Sequence, residues 1–231
     1  MILNYSQHKN ILFKILKDIF FDLEISPYLG FKGGTAALFF YNLDRKSVDL
    51  DFDLLDESKK DVVFLKIEEI IKRYGEIKEN QKKRFTLLFI ASYDASSQNI
   101  KIEINTRDFG SSYEIRDLFG ISMRVMTKED MFAHKLMAMY ERVGRANRDI
   151  YDVYFFAKQG WPINKRIVEE RSNMPFLDFL KKCIVKLEKM NDKYILDGLG
   201  DLISESQKDW VRAKLKQETV IYLKMILGNE R

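Results

Sequence analysis

The apolar residues of this chain change spacing near its middle, and that change predicts its architecture. Ile11, Leu12, Ile15, Leu16, Ile19, Phe20 and Leu23 recur every three or four positions, one stripe of a helix running through residue 26 until Pro27 ends it. A short strand over Tyr28-Leu29-Gly30-Phe31 leads into Lys32-Gly33-Gly34-Thr35, with Thr35 expected to cap a short helix through Tyr41. From Ser47 to Leu55 the period drops to two. Val48, Leu50, Phe52 and Leu54 face one way, and Ser47, Asp49, Asp51 and Asp53 the other.

An amphipathic helix over 60–74 follows (Val63, Ile67, Ile70, Ile71). Strands are then expected over Arg84–Ser92 and Ile100–Arg107, joined by the polar turn 94–99, and over Ile121–Met126. In Ile100–Arg107, Ile100, Ile102 and Ile104 alternate with Lys101, Glu103 and Asn105. After Met126 the pattern is helical throughout. Thr127-Lys128-Glu129-Asp130 reads as a capping box opening a helix to Val143, with further helices near 148–159, 174–190 and 207–227. The predicted fold class is α+β: a mixed sheet flanked by helices over 1–125, then a helical domain over 126–231 that completes the cleft.

Composition narrows the chemistry. With 46% hydrophobic residues the 231-residue chain can bury a core, which excludes intrinsic disorder. Cys183 is the only cysteine, so there is no intrachain disulfide and no cysteine zinc site; it is expected as a small buried hydrophobe. His8 and His134 are the only histidines, so any metal must be held mainly by carboxylates, which points to Mg²⁺, Mn²⁺ or Ca²⁺. His134 is expected as a partly buried helical residue, not a base. No apolar run is long enough to span a bilayer, and Lys9, Lys14, Lys17 and Asp18 break the first segment as a signal peptide, so a cytoplasmic protein is expected. A net charge of +4 does not by itself indicate nucleic acid. Basic clusters at 82–84, Arg142/Arg145/Arg148, 181–182 and Lys208/Arg212/Lys214/Lys216 read as solvated surface, while leaving room for an RNA backbone.

The acidic strand carries the strongest chemical signal. Alternate residues of a strand lie roughly 6.5–7 Å apart, so three carboxylates crowd one face and call for a compensating cation. A solvated acidic face is the ordinary alternative. The Gly33-Gly34-Thr35 turn shifts the balance, because glycines admit close backbone approach and helix-start amides point at anions. From spacing alone, a metal could use Asp49 with Asp51 or Asp51 with Asp53.

Lys32-Gly33-Gly34-Thr35-Ala36 followed by Arg45-Lys46-Ser47-Val48-Asp49-Leu50-Asp51-Phe52 resembles the AbiEii/AbiGii nucleotidyltransferase-like toxins, within the DNA polymerase β-like nucleotidyltransferase superfamily. Ile102-Glu103-Ile104 is similar to the superfamily's third-carboxylate strand. Lys135 and Arg148-Asp149-Ile150-Tyr151-Asp152 resemble the family's helical lysine and Arg-Asp-x-x-Asp motifs, so the likeness spans residues 28–156. Thr35 replaces the superfamily serine and keeps its hydroxyl.

The resemblance implies transfer of a nucleoside monophosphate from an NTP to an RNA hydroxyl, with the 3′ end of tRNA as the expected acceptor. The chain would act as the toxin of an abortive-infection pair with a cognate antitoxin. It implies Mg²⁺ or Mn²⁺ on Asp49, Asp51 and Glu103, and phosphates on Gly33, Gly34, Thr35, Ser47, Lys135 and Arg148. Lys135 and Asp152 join the three acids as catalytic residues. Arg45 is either a phosphate contact or solvated. Arg142 shares a helix face with Lys135, and Asp149 and Asp152 share a face where a cap or an ion pair with Arg145 or Arg148 would also explain them. Nucleotidylation or phosphorylation of a protein by the same fold, or an inactive nucleotide- or RNA-binding module, are the alternatives.

Overall fold

The computed structural model describes residues 4–94 and 99–229, so most of the predicted polar turn lies outside the described residues. The chain divides into two compact units, Met1–Asp108 with Ser112–Met126, and Phe109–Ser111 with Thr127–Arg231.

The first unit is a seven-stranded mixed sheet with helices. Its strands are β1 (Leu29–Lys32), β2 (Asp49–Leu54), β3 (Glu76–Lys82), β4 (Thr86–Ser92), β5 (Ile100–Asn105), β6 (Tyr113–Leu118) and β7 (Ile121–Met126), in the order β3-β4-β5-β2-β1-β7-β6. β2 runs parallel to β5 and antiparallel to β1. On one sheet face Leu50, Phe52, Ile102, Ile104, Phe31 and Phe89 are fully buried. They pack with α1 (Tyr5–Phe21) and α3 (Lys60–Lys72), whose stripes Leu12-Ile15-Leu16-Ile19 and Val63-Ile67-Ile70-Ile71 are also buried. Phe52 lies 5.3 Å from Phe31 and 6.3 Å from Phe20, ring to ring. Because strand side chains alternate, burying Leu50 and Phe52 turns Asp49 and Asp51 to the opposite face.

Several expectations are corrected. α1 ends at Phe21, where Asp22 accepts from the Glu24 amide at 2.9 Å and draws the chain into a turn. Pro27 falls in a separate 3₁₀ turn, Ser26–Tyr28. The short helix α2 (Gly33–Tyr41) begins at Gly33 with Lys32 as its N-cap, so Thr35 is a helical residue and not the cap. It stops at Asn42, left-handed with φ 58°.

The second unit is helical: α4 (Lys128–Arg142), α5 (Arg148–Lys158), α6 (Lys165–Ser172), α7 (Phe176–Lys189), α8 (Glu205–Trp210) and α9 (Lys216–Asn229), with a π-helical turn, Val211–Leu215, joining the last two. Phe156, Phe179, Leu180, Cys183 and Leu223 lie in its core. Thr127 is the N-cap of α4, yet its side chain makes no capping bond. The acid of the expected box, Asp130, is buried and accepts from Asn164 Nδ2 at 2.6 Å instead. No helix among the described residues is long and apolar enough to cross a membrane.

Candidate active site

Parallel pairing of β2 with β5 sets Asp49 opposite Lys101, Asp51 opposite Glu103 and Asp53 opposite Asn105, all six on the face away from the core. Two carboxylates ~7 Å apart repel by on the order of 2 kcal/mol at an effective dielectric of ~20, so the face needs positive charge. The chain supplies some itself. Lys101 Nζ is 2.7 Å from Glu103 Oε2 and 4.0 Å from Asp49 Oδ2. Burial works to lower the Lys101 pKa, but its bond to Glu103 and the charges of Asp49, Glu103 and Asp51 outweigh it and raise the pKa above the usual lysine value.

Asp53 has a different environment. Lys32 Nζ (2.5 Å) and Asn105 Nδ2 (2.6 Å) donate to its Oδ1, and the Tyr113 hydroxyl donates to Oδ2 at 2.6 Å. Three donors satisfy this nearly buried carboxylate. Asp49 and Asp51, the other acids of β2, project from the same face.

The glycine turn lies directly against this face. Gly33 has φ +78°, and a Cβ there would stand 2.2 Å from Asp51 Oδ2. At Gly34 a Cβ would meet Arg45 Nη2 and Ser47 Oγ, each at 2.8 Å. Arg45 is 4% exposed and donates to the Lys46 carbonyl at 2.7 Å, which corrects the solvated alternative: the guanidinium is packed over the turn. Thr35 is fully buried. Its hydroxyl donates to the Asp49 carbonyl and hydrogen-bonds Ser47 Oγ at 2.9 Å, so it ties α2 to the start of β2. His8 holds the same corner. Its Nε2 bonds the Val48 carbonyl at 2.9 Å and its Nδ1 the Tyr93 hydroxyl at 3.0 Å. Burial, opposed by the Val48 bond and the Asp49 charge, lowers its pKa, and because a carbonyl only accepts, Nε2 is the donor to Val48.

Gly33→Ala is expected to push the Asp51 carboxylate aside and to strain the backbone. Catalysis should fall by about 10²-fold, the usual result of a 1 Å misplacement, while stability drops by only about 1–2 kcal/mol. Steady-state rates alongside thermal melts check this, and near wild-type rates would show that the carboxylate does not need its present position.

As they stand, no three Asp, Glu, His or Cys side chains among the described residues converge closely enough to hold a metal. Asp49, Asp51 and Glu103 nevertheless fit a hard divalent cation in donor type and in facing, and the missing Cβ of Gly33 lets the Asp51 carboxylate pack against the turn.

The Lys-Asp motifs of the second unit form a cluster of their own. Lys135 Nζ lies 2.7 Å from Asp152 Oδ2 and 3.2 Å from Asp149 Oδ1, and both aspartate side chains are fully buried. Arg142 Nη2 is 2.8 Å from Asp149 Oδ2. Lys135 and Arg142 pair with these acids, in place of the expected Arg145 or Arg148. Arg148 is the half-buried first residue of α5. His134 bonds Ser111 Oγ through Nε2 and Arg171 through Nδ1, each at 2.7 Å, a structural histidine as expected. Cys183 is buried, and burial pushes its thiol pKa up.

Residues 14–216 match the family model described as "Nucleotidyl transferase AbiEii toxin, Type IV TA system". The chain belongs to the AbiEii nucleotidyltransferase toxin family. Among solved structures it is similar to a Helicobacter pylori protein to which nucleotidyltransferase activity is ascribed (TM-score 0.66, 20% identity, 97% of this chain and 95% of that one). It is also similar to JHP933 from Helicobacter pylori (TM-score 0.62, 20% identity, 97% and 92%). At that identity the likeness bears on the fold alone. No curated protein matches the sequence. As an AbiEii toxin the chain is a nucleotidyltransferase, with an NTP as substrate and an antitoxin as the partner the family implies. Lys101, Asn105 and Tyr113 belong to its acidic face and lie outside the sequence motifs, whereas Lys32 opens the glycine motif. Lys101 and Asn105 left a signal, their shared parity with Glu103.

Proposed function

We propose that this AbiEii toxin transfers a nucleoside monophosphate from an NTP to an RNA hydroxyl, the 3′ end of tRNA being the expected acceptor, with Mg²⁺ or Mn²⁺ required. The observation that carries the reading is the placement of the Gly33 turn against Asp51, on the sheet face where Asp49 and Glu103 also project. Asp49, Asp51 and Glu103 would hold the divalent ion, which when bound neutralises charge on the triphosphate and at the α-phosphoryl group. The amides at the start of α2 and the Arg45 guanidinium, packed beside Gly34 and Ser47, would receive the phosphates. The RNA oxygen forms a bond to the α-phosphorus as the bond to pyrophosphate breaks, and Glu103 takes the hydroxyl proton. Lys135 and Arg148 keep, within the proposal, the triphosphate role the resemblance gives them, with Asp149 and Asp152 aiming the Lys135 ammonium. The support for this is the family match, which spans these motifs.

Purified protein incubated with Mg²⁺, labelled NTPs and total tRNA is expected to place label on tRNA. Label on a protein band instead would move the acceptor class to protein. No transfer with any of the four NTPs to tRNA, other RNA pools or protein would overturn the reading.

A further inference from the structure

The acidic face carries a basic residue that neither the family motifs nor the proposed chemistry uses. Lys101 sits two residues before Glu103 on β5 and opposite Asp49 on β2, so strand parity sends its side chain to the carboxylate face. Its ammonium bonds Glu103 at 2.7 Å and lies 4.0 Å from Asp49, bridging two of the three acids that would hold a metal. Asp53 already has Lys32, Asn105 and Tyr113, so its charge is not what Lys101 answers.

We propose that Lys101 is the built-in cation of the site: its ammonium holds Asp49 and Glu103 together in the metal-free protein and competes with a divalent ion for their oxygens. This rests on the reading of Asp49, Asp51 and Glu103 as metal ligands. Two features suit a displaceable cation. The Lys101 side chain is 32% exposed, and four methylenes let the ammonium withdraw without moving β5. Glu103 is 39% exposed, so an incoming ion can reach the carboxylate that Lys101 occupies. One ammonium also carries less charge than a divalent ion, so Asp49 and Glu103 are held together yet still favour the doubly charged ion. The consequence is a weak site for metal alone, strengthened when an NTP brings further oxygen ligands.

The test measures Mn²⁺ binding by the free-ion paramagnetic resonance signal, on the full chain with no nucleotide. Lys101→Met is expected to bind Mn²⁺ about tenfold or more tightly than wild type, and Lys101→Arg, which keeps the charge, to stay near wild type. In chelator the methionine variant should melt below wild type, and added Mn²⁺ should raise its melting temperature by more. Lys101→Gln serves the same comparison if the methionine variant does not fold. Equal or weaker Mn²⁺ binding by the uncharged variants overturns the competition, as does tighter binding that survives addition of Asp51→Asn, since that ion would lie elsewhere. Failure of wild type and of every Lys101 variant to bind Mn²⁺ at millimolar concentration overturns the metal reading itself. A wild type that binds while Lys101→Met binds no better overturns this inference alone.

Discussion

Asp51→Asn is expected to reduce nucleotide transfer by on the order of 10³-fold while leaving the fold intact. The substitution keeps the shape of the side chain beside Gly33 and removes the charge. Loss of a charge-neutralising ligand costs several kcal/mol of transition-state stabilisation, hence the magnitude. The informative control is Asp53→Asn. Asp53 accepts from Lys32, Asn105 and Tyr113, so its replacement disturbs a bonded network in the sheet and is expected to act mainly on stability. Transfer assays and melts on both variants separate the two roles. Near wild-type transfer by Asp51→Asn would remove that carboxylate from the chemistry.

Lys135→Met should produce the largest loss of stability. The Lys135 ammonium lies between two aspartates whose side chains are fully buried, and Asp152 would lose its ion-pair partner at 2.7 Å. Removing one partner of a buried pair costs about 3–5 kcal/mol, because the remaining charge stays desolvated. For a chain of this length that is a fall of about 10 °C in melting temperature. Adding Asp152→Asn should recover part of the loss, since it removes a buried negative charge that Lys135 offsets, and the coupling is read from a double-mutant cycle. A loss below ~1 kcal/mol would show that the cluster does not hold the helical unit together. The same geometry governs how any inactive Lys135 variant is to be read. Loss of activity speaks for a triphosphate contact only in protein shown to be folded.

What the sequence revealed follows from where its signals are local. β2 was legible because one buried face forces strict alternation, and the same alternation placed Asp49 and Asp51 away from the core. β3 and β6 were not legible. Both are edge strands whose residues are exposed or only half-buried, and with no buried face there is no apolar period to read. α6 escaped for a similar reason, burying only Ile167 and Val168. The long helix expected over 207–227 is present as a continuous helical run, Glu205–Asn229, but the π-helical turn within it leaves no mark on its apolar spacing.

Within the site, motif residues were legible and their partners were not. Asp53 and Asp51 are the same residue type on the same strand face. They differ because residues 32, 105 and 113 converge on one of them, which only strand pairing brings about. Lys101 shares parity with Glu103, but its place beside Asp49 depends on the parallel register of β2 and β5. Thr35 has the character of a cap and instead spends its hydroxyl on the Asp49 carbonyl, a contact fourteen residues away along the chain.

The most direct measurement is anomalous diffraction from crystals soaked with Mn²⁺ and an NTP. Manganese density is expected against carboxylate oxygens of Asp49 and Asp51, with Glu103 joining as Lys101 withdraws, and phosphates against the Gly33-Gly34 turn. Manganese on Asp53, or nucleotide bound elsewhere with Lys101 still on Glu103, would contradict this placement.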